Sequence, residues 1–217
     1  MKLSEAPPVR WAGSHGRYVD FPGAVVRAFD PYSLKPITFA GWLDFDAWGQ
    51  VRFRADIKSV TTKPTKVQAS IDGVSVEAKA TFTAITRSGE REYHHVSQDG
   101  SVVQIVRDLQ RVAEKNGASV HVHTREALLS DASFNSRIRR LIQASVIHLR
   151  DGAAVDPLIL AVVRDGANRR SELHRRISPL AGQLADGRAA QLHCAGLLRL
   201  TLTSDDYAIE LGRSRHA

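Results

Sequence analysis

Apolar and polar residues alternate along Val67–Ile71, Ser75–Thr86 and Glu92–Val96, the period of two expected of half-buried strands, with glycines at the joins. The period then changes. Across Ser101–Asn116 the apolar positions Val102, Ile105, Val106, Leu109, Val112 and Ala113 recur at helical spacing, which predicts an amphipathic helix stopped at Gly117 by a left-handed cap. Val120 and Val122 follow as the inward face of a further strand. Strands, helix and strand in this order predict an α/β domain with a mixed sheet.

Beyond it, Ile138, Leu141, Ile142 and Val146 predict a connecting helix over Arg137–Leu149, and the chain changes character at Asp151-Gly152. Three short helices are expected at Asp156–Val163, Arg170–Ile177 and Leu184–Ala195. A strand at Leu198–Thr203, a turn at Ser204-Asp205-Asp206 and a strand at Tyr207–Leu211 follow. Helix, helix, helix, hairpin is the order of a winged helix-turn-helix, whose third helix is the one presented to a partner. At the other end, Pro7-Pro8, Gly13, Gly16, Pro22-Gly23 and Pro31 predict an extended arm with one short strand at Ala24–Ala28. The expected organisation is an arm over 1–35, an α/β domain over 36–130, a connecting helix over 131–150 and a winged-helix-like domain over 151–217.

Composition adds a partner class. The 217 residues are 43% hydrophobic, enough for one or two cores, and carry a net charge of +7 with a pI of 9.9, which suits a polyanion. Residues 1–130 hold 17 basic and 14 acidic residues; residues 131–217 hold 13 and 9, and every basic residue there other than histidine is arginine. The single cysteine, Cys194, excludes an internal disulfide framework and reads as a small buried hydrophobe. No stretch has a signal peptide's apolar core or the roughly 18 apolar residues of a membrane span, so a cytoplasmic location without membrane contact is expected.

Two groups of residues carry candidate chemistry. His121 and His123 share one strand face, and His94-His95 lie on another strand, so two pairs are placed to meet as a Zn²⁺ site; the same alternation makes His121 and His123 the solvent side of a half-buried strand. Arg164, Arg169, Arg170, Arg175, Arg176 and Arg188 are candidate phosphate contacts, and Gln183, Gln191 and His193 are candidates for base edges. The Ala- and Leu-rich third helix equally suits packing or protein docking.

A family resemblance runs through the first domain. Phe39–Asp46 (FAGWLDFD), then Asp56-Ile57 and Lys63–Gly73 (KPTKVQASIDG), resemble the amino-terminal domain of TnsA, the endonuclease subunit of heteromeric transposases, with Phe39, Trp42, Leu43 and Asp46 on their family counterparts. Thr81–Ser97 resembles the family hairpin "PDFxVxxxDGxxxxxEVK", with Arg87-Ser88-Gly89-Glu90 as its turn. Ser101–Leu128 resembles the helix, glycine, strand and "T-x-x-x-L" that end the domain.

The resemblance implies a restriction-endonuclease-like (PD-(D/E)XK) mixed-sheet domain followed by a small winged-helix domain, an α/β (α+β) class overall. It puts the family's helical Glu on Asp44, its strand Asp on or next to Thr81 and its (Glu/Gln)-x-Lys on His95 and Ser97. Metal-dependent phosphodiester cleavage needs oxygen anions to hold Mg²⁺ and a lysine beside the reacting water. Thr81 and Ser97 lack charge, and imidazole suits a hard cation poorly. A second register, Asp56 with Glu77 and Lys79, supplies both charge types, although Val76–Lys79 equally reads as a strand with a solvated face.

The implied partners are DNA, a transposase subunit of the DDE class and the AAA+ ATPase regulator of transposition. The expected function is a TnsA-like subunit that binds these with its nuclease activity lost or weakened and with no cofactor. The alternative is an active Mg²⁺-dependent endonuclease at transposon ends, using Asp44 or Asp56 with Glu77 and Lys79. A free-standing winged-helix regulator is a third possibility.

Overall fold

The computed structural model describes residues 25–97, 103–147, 152–177, 182–203 and 206–212. Most of the expected arm, the start of the helix expected from Ser101, the end of the one expected to reach Leu149, Asp151 and the Ser204-Asp205 turn lie outside them. The described residues form a mixed α/β structure built on one four-stranded sheet and three antiparallel strand pairs.

The first pair is β1 (Val26–Phe29) with β2 (Pro36–Phe39), which leads through Gly41 into α1 (Trp42–Arg52). Leu43, Ala47, Trp48 and Val51 recur at helical spacing on α1 and are buried, and Phe39, Phe45 and Trp48 gather with ring centroids 5.4 to 6.1 Å apart. Aromatic burial of this kind, at about 1.5–3 kcal/mol per side chain, fixes α1 against the sheet.

Strand β3 (Ile57–Val60) precedes a hairpin of β4 (Thr65–Ile71) and β5 (Val74–Ala80), closed by Asp72 and Gly73, both at positive φ as a two-residue primed turn requires. Then come β6 (Phe82–Thr86), β7 (Arg91–Ser97), α2 (Val103–Asn116) and β8 (Ala118–Thr124). The sheet order is β3-β6-β7-β8, antiparallel except for the last pair, where α2 makes the crossover to a parallel β8. The single strand expected over Ser75–Thr86 is broken at Thr81: β5 belongs to the hairpin and β6 to the sheet.

Alternation divides the sheet faces. Tyr93 points to a small core with Val67, Ala78, Ala80, Leu109, Val112 and Ala113, and Phe82, Ala84 and Val96 point to the larger core on the α1 side. Val120 packs against the small core, but Val122, expected inward, is 42% exposed because β8 is the edge strand.

Helices α3 (Arg125–Ser130) and α4 (Ala132–Ile147) follow, α4 beginning five residues before the expected connecting helix. Its Ile138, Leu141 and Ile142 are buried, and Arg139 clamps Asp46 on α1 at 2.7 and 2.5 Å while lying over the Trp42 ring. The second half supplies α5 (Asp156–Arg164), α6 (Arg170–Arg176), α7 (Gly182–Ala195), β9 (Leu198–Leu202) and β10 (Tyr207–Leu211), with one bridge, Arg169 to Ala208, adding the α5–α6 connection to the hairpin.

One hydrophobic cluster runs from Val26 to Ile209 and so joins the two halves. Helix α7 lies against α4 so closely that a Cβ at Gly187 would meet the Ala144 carbonyl. Among the described residues no helix is long and apolar enough to cross a membrane.

Candidate functional site

Where β6 starts, it runs beside the end of β7, and three of the four family-register residues, Thr81, His95 and Ser97, lie there, whereas Asp44 is carried by α1 on the face of the sheet opposite to the one His95 takes. The Thr81 amide donates to the His94 carbonyl at 2.8 Å, and the Thr81 hydroxyl accepts from the Val96 amide at 3.0 Å, so Thr81 is held against the strand that carries His95 and Ser97. Ser97 is buried and His95 half-buried, its imidazole pulled below its ordinary range by burial. Asp44 stands half-buried in the first turn of α1, a helix in contact with β7. The β6–β7 junction thus holds two hydroxyls and a neutral imidazole at the positions to which the resemblance assigns a carboxylate and a lysine. Neutral donors of this kind supply little of the charge that Mg²⁺ requires.

The second register is divided between two sheets. Asp56 precedes β3, and Arg54 grips it at 2.6 and 3.1 Å, holding the carboxyl below its usual range chiefly through that hydrogen bond. Glu77 projects from the β4–β5 hairpin to Lys66 at 2.8 Å, with Gln68 also at 2.8 Å, and the Lys66 contact lowers its pKa. Lys79 faces Lys66 across the hairpin. Glu77 and Lys79 therefore belong to an exposed ladder outside the four-stranded sheet.

A polar network fills the α1-side face of β7 and β8. Glu92 and His94 point the same way along β7; Arg54 binds Glu92 through two nitrogens at 2.9 and 3.0 Å, and His94 links Glu92 (3.1 Å) to His123 (3.0 Å). The His121 ring stacks on His94 at 5.0 Å, and Phe82 covers the other side at 4.7 Å. Burial, reinforced by the neighbouring histidines and Arg54, drives His94 down to about 2 and His123 to about 4, so both rings stay neutral near pH 7.

The two histidine pairs thus meet through His94, His121 and His123, while His95 points to the opposite face. Their nitrogens are directed at each other and at Glu92. Among the described residues no group of three or more His, Cys, Asp or Glu side chains is arranged to hold a metal ion. The Arg54–Glu92–His94 chain escaped the sequence reading, although Glu92 and His94 share a face at the period of two, a signal available without structure.

In the second half, four of the six candidate arginines pair with carboxylates, Arg175 with Glu172 at 3.8 Å and three others more closely. Arg170 binds Asp186 at 2.8 Å; Arg176 binds Asp165 at 2.9 Å and Glu172 at 3.0 Å; Arg188 binds Asp156 at 2.5 Å and also contacts Gln191. Arg164, Arg169 and Arg175 are exposed, the last two beside an open depression with Asn168, Ser171 and Glu172.

The expectation that α7 is presented to a partner is corrected, because Leu184–Asp186 and Ala189–Cys194 are buried. Gln183 stays exposed, but Gln191 donates to the Ser145 carbonyl at 2.8 Å. His193 lies within 3.0 Å of the Phe53 carbonyl and accepts from the Leu200 amide at 3.1 Å. Neither side chain is available to a base edge. Asp186, a residue the sequence reading passed over, ties this half together through Arg170, His174 (2.8 Å) and Tyr207 (2.5 Å). Burial opposes its charge, yet these three donors hold the carboxyl down at about 2.

No protein-family model matches the chain, and no curated protein matches it.

Proposed function

We propose that the chain is a TnsA-like subunit of a DNA transposition complex, in which a nuclease-type core is kept for DNA contact and assembly while metal-dependent cleavage is lost or weakened. The observation that supports this reading is at the β6–β7 junction: Thr81, His95 and Ser97, the positions to which the resemblance assigns a carboxylate and a lysine, lie side by side without either, and Thr81 is tied into backbone hydrogen bonding. Mg²⁺ is therefore no part of the proposed function, and no cofactor is invoked.

Element order gives separate support. A helix, three antiparallel strands, a crossover helix and a parallel fourth strand follow one another as in restriction-endonuclease-like domains, with β4–β5 as an insertion. The sequence α5, α6, α7, β9, β10, with the Arg169–Ala208 bridge, is that of a winged helix. A winged helix whose third helix is buried suits protein docking through its remaining surface, which fits a contact with a DDE transposase or an AAA+ regulator. The endonuclease alternative has no comparable support, since Glu77 is engaged by Lys66 away from the sheet.

The test is co-elution of the purified chain with a DDE transposase subunit on element-end duplex DNA. A complex containing both proteins and DNA is the expected result. Separate elution of the chain at low salt from both the transposase and the DNA would overturn the proposal.

A further inference from the structure

We propose that a lysine-lined groove between the β1–β2 turn and the β3–β4 connection is the surface that takes the sugar–phosphate backbone of duplex DNA. The inference rests on the DNA-binding reading above and changes where the contact lies. Five of the chain's seven lysines, Lys35, Lys58, Lys63, Lys66 and Lys79, fall between residues 35 and 79. Two of them, Lys35 and Lys63, line a groove of about 410 Å³ together with Ser33, Thr61, Thr62 and Thr65.

The one carboxylate in that groove does not oppose an anion. Asp30 accepts from Arg52 at 2.8 Å and from the Tyr32 and Ser33 amides at 3.1 and 3.3 Å, so its charge is already compensated. Besides the apolar Pro36, Ile37 and Val60, what remains along the groove is ammonium and hydroxyl groups on short or flexible stems. Such groups bind phosphate as point charges and carry no information about base sequence.

A second observation lies at the same end of the hairpin. Thr65 pairs with Ala80 on its first rung, and the next rung sets Lys66 directly opposite Lys79. Like charges facing across an antiparallel pair are destabilising. Glu77 pairs with Lys66, but none of the described acidic residues pairs with Lys79. A row of phosphates entering from the groove relieves that repulsion. The second-half arginines differ in this respect, since Arg170, Arg176 and Arg188 already hold carboxylates.

Fluorescence anisotropy with a short labelled duplex of arbitrary sequence, titrated with salt, tests the assignment. The proteins compared are the wild type and the double variants Lys35→Ala/Lys63→Ala, Lys66→Ala/Lys79→Ala and Arg169→Ala/Arg175→Ala. All the replaced side chains are exposed, so folding is preserved. Each lysine pair is expected to weaken binding on every sequence and to reduce the slope of log affinity against log salt by about 2, at roughly 0.9 per phosphate contact. The arginine pair is expected to leave the slope unchanged. If the wild type binds and only the arginine pair matters, or no pair matters, the groove assignment falls and DNA binding stands. If the wild type fails to bind at low salt, both fall together.

Discussion

The Thr81 hydroxyl accepts the Val96 amide proton at 3.0 Å, so a side chain replaces a backbone carbonyl in pairing the end of β7. Thr81→Ala leaves that amide without its partner, and an orphaned, part-buried donor costs about 1–2 kcal/mol. Thr81→Ser keeps the acceptor and most of the stability. Urea denaturation of the two variants checks this; equal loss in both would mean that the methyl group, and not the hydroxyl, matters.

Much of the first region was legible because its signals are local. The helix expected over Ser101–Asn116 is α2 over its described length, and Gly117 has the left-handed conformation expected of it, at φ 60°. The break at Thr81 was not legible: the alternation of Ser75–Ala84 runs straight through it, and only the pairing of β5 with β4 and of β6 with β3 and β7 separates the two strands. In the second half the helix and strand positions followed from spacing, but the burial of α7 did not. Its polar residues Gln183, Asp186, Arg188, Gln191 and His193 are spread round the helix among alanines and leucines, so no one face is marked for burial, and which faces are covered depends on α4, far earlier in the chain. The arginines illustrate the same limit, since a list of cations does not reveal that Asp156, Asp165 and Asp186 fold back onto three of them.

Gly187 is where α7 meets α4, and an added Cβ would run into the Ala144 carbonyl. Backbone cannot yield as a flexible side chain does. Gly187→Ala is expected to lower stability by about 1–3 kcal/mol despite its better helix propensity, because overpacking outweighs the local gain. Thermal unfolding of the variant tests this, and a raised melting temperature would contradict the close approach.

Removing the carboxylate that joins α6, α7 and β10 has a larger expected effect. Asp186→Ala strands Arg170, His174 and the Tyr207 hydroxyl, at an expected cost of about 2–4 kcal/mol. Asp186→Asn keeps the shape and loses the charge, and is expected to fall between the two. Denaturant midpoints rank the three proteins; an unchanged midpoint for the alanine variant would remove Asp186 from its joining role.

The histidine network makes stability depend on pH in a defined sense. His94 and His123 titrate in the folded protein at about 2 and about 4, below the ordinary imidazole value near 6.5. The unfolded chain therefore binds more protons below pH 6.5, and stability falls on acidification. The loss attributable to His123 accumulates between about pH 6.5 and 4, and that of His94 continues toward about pH 2. Asp186, held at about 2 against 3.8 unfolded, adds a further loss only below about pH 4. His94→Phe is expected to flatten the slope between pH 6.5 and 4, read by urea unfolding at several pH values. An unaltered slope would assign the titration to other groups.

The most direct test of a nuclease-type core without its chemistry is incubation of the purified chain with supercoiled plasmid and with element-end DNA in Mg²⁺ and in Mn²⁺, beside Asp44→Ala, Glu77→Ala and Lys79→Ala variants. Intact DNA in every lane, with salt-sensitive binding retained, is the predicted result. Metal-dependent nicking by the wild type that disappears with any of the three variants would contradict it and make this chain a working endonuclease.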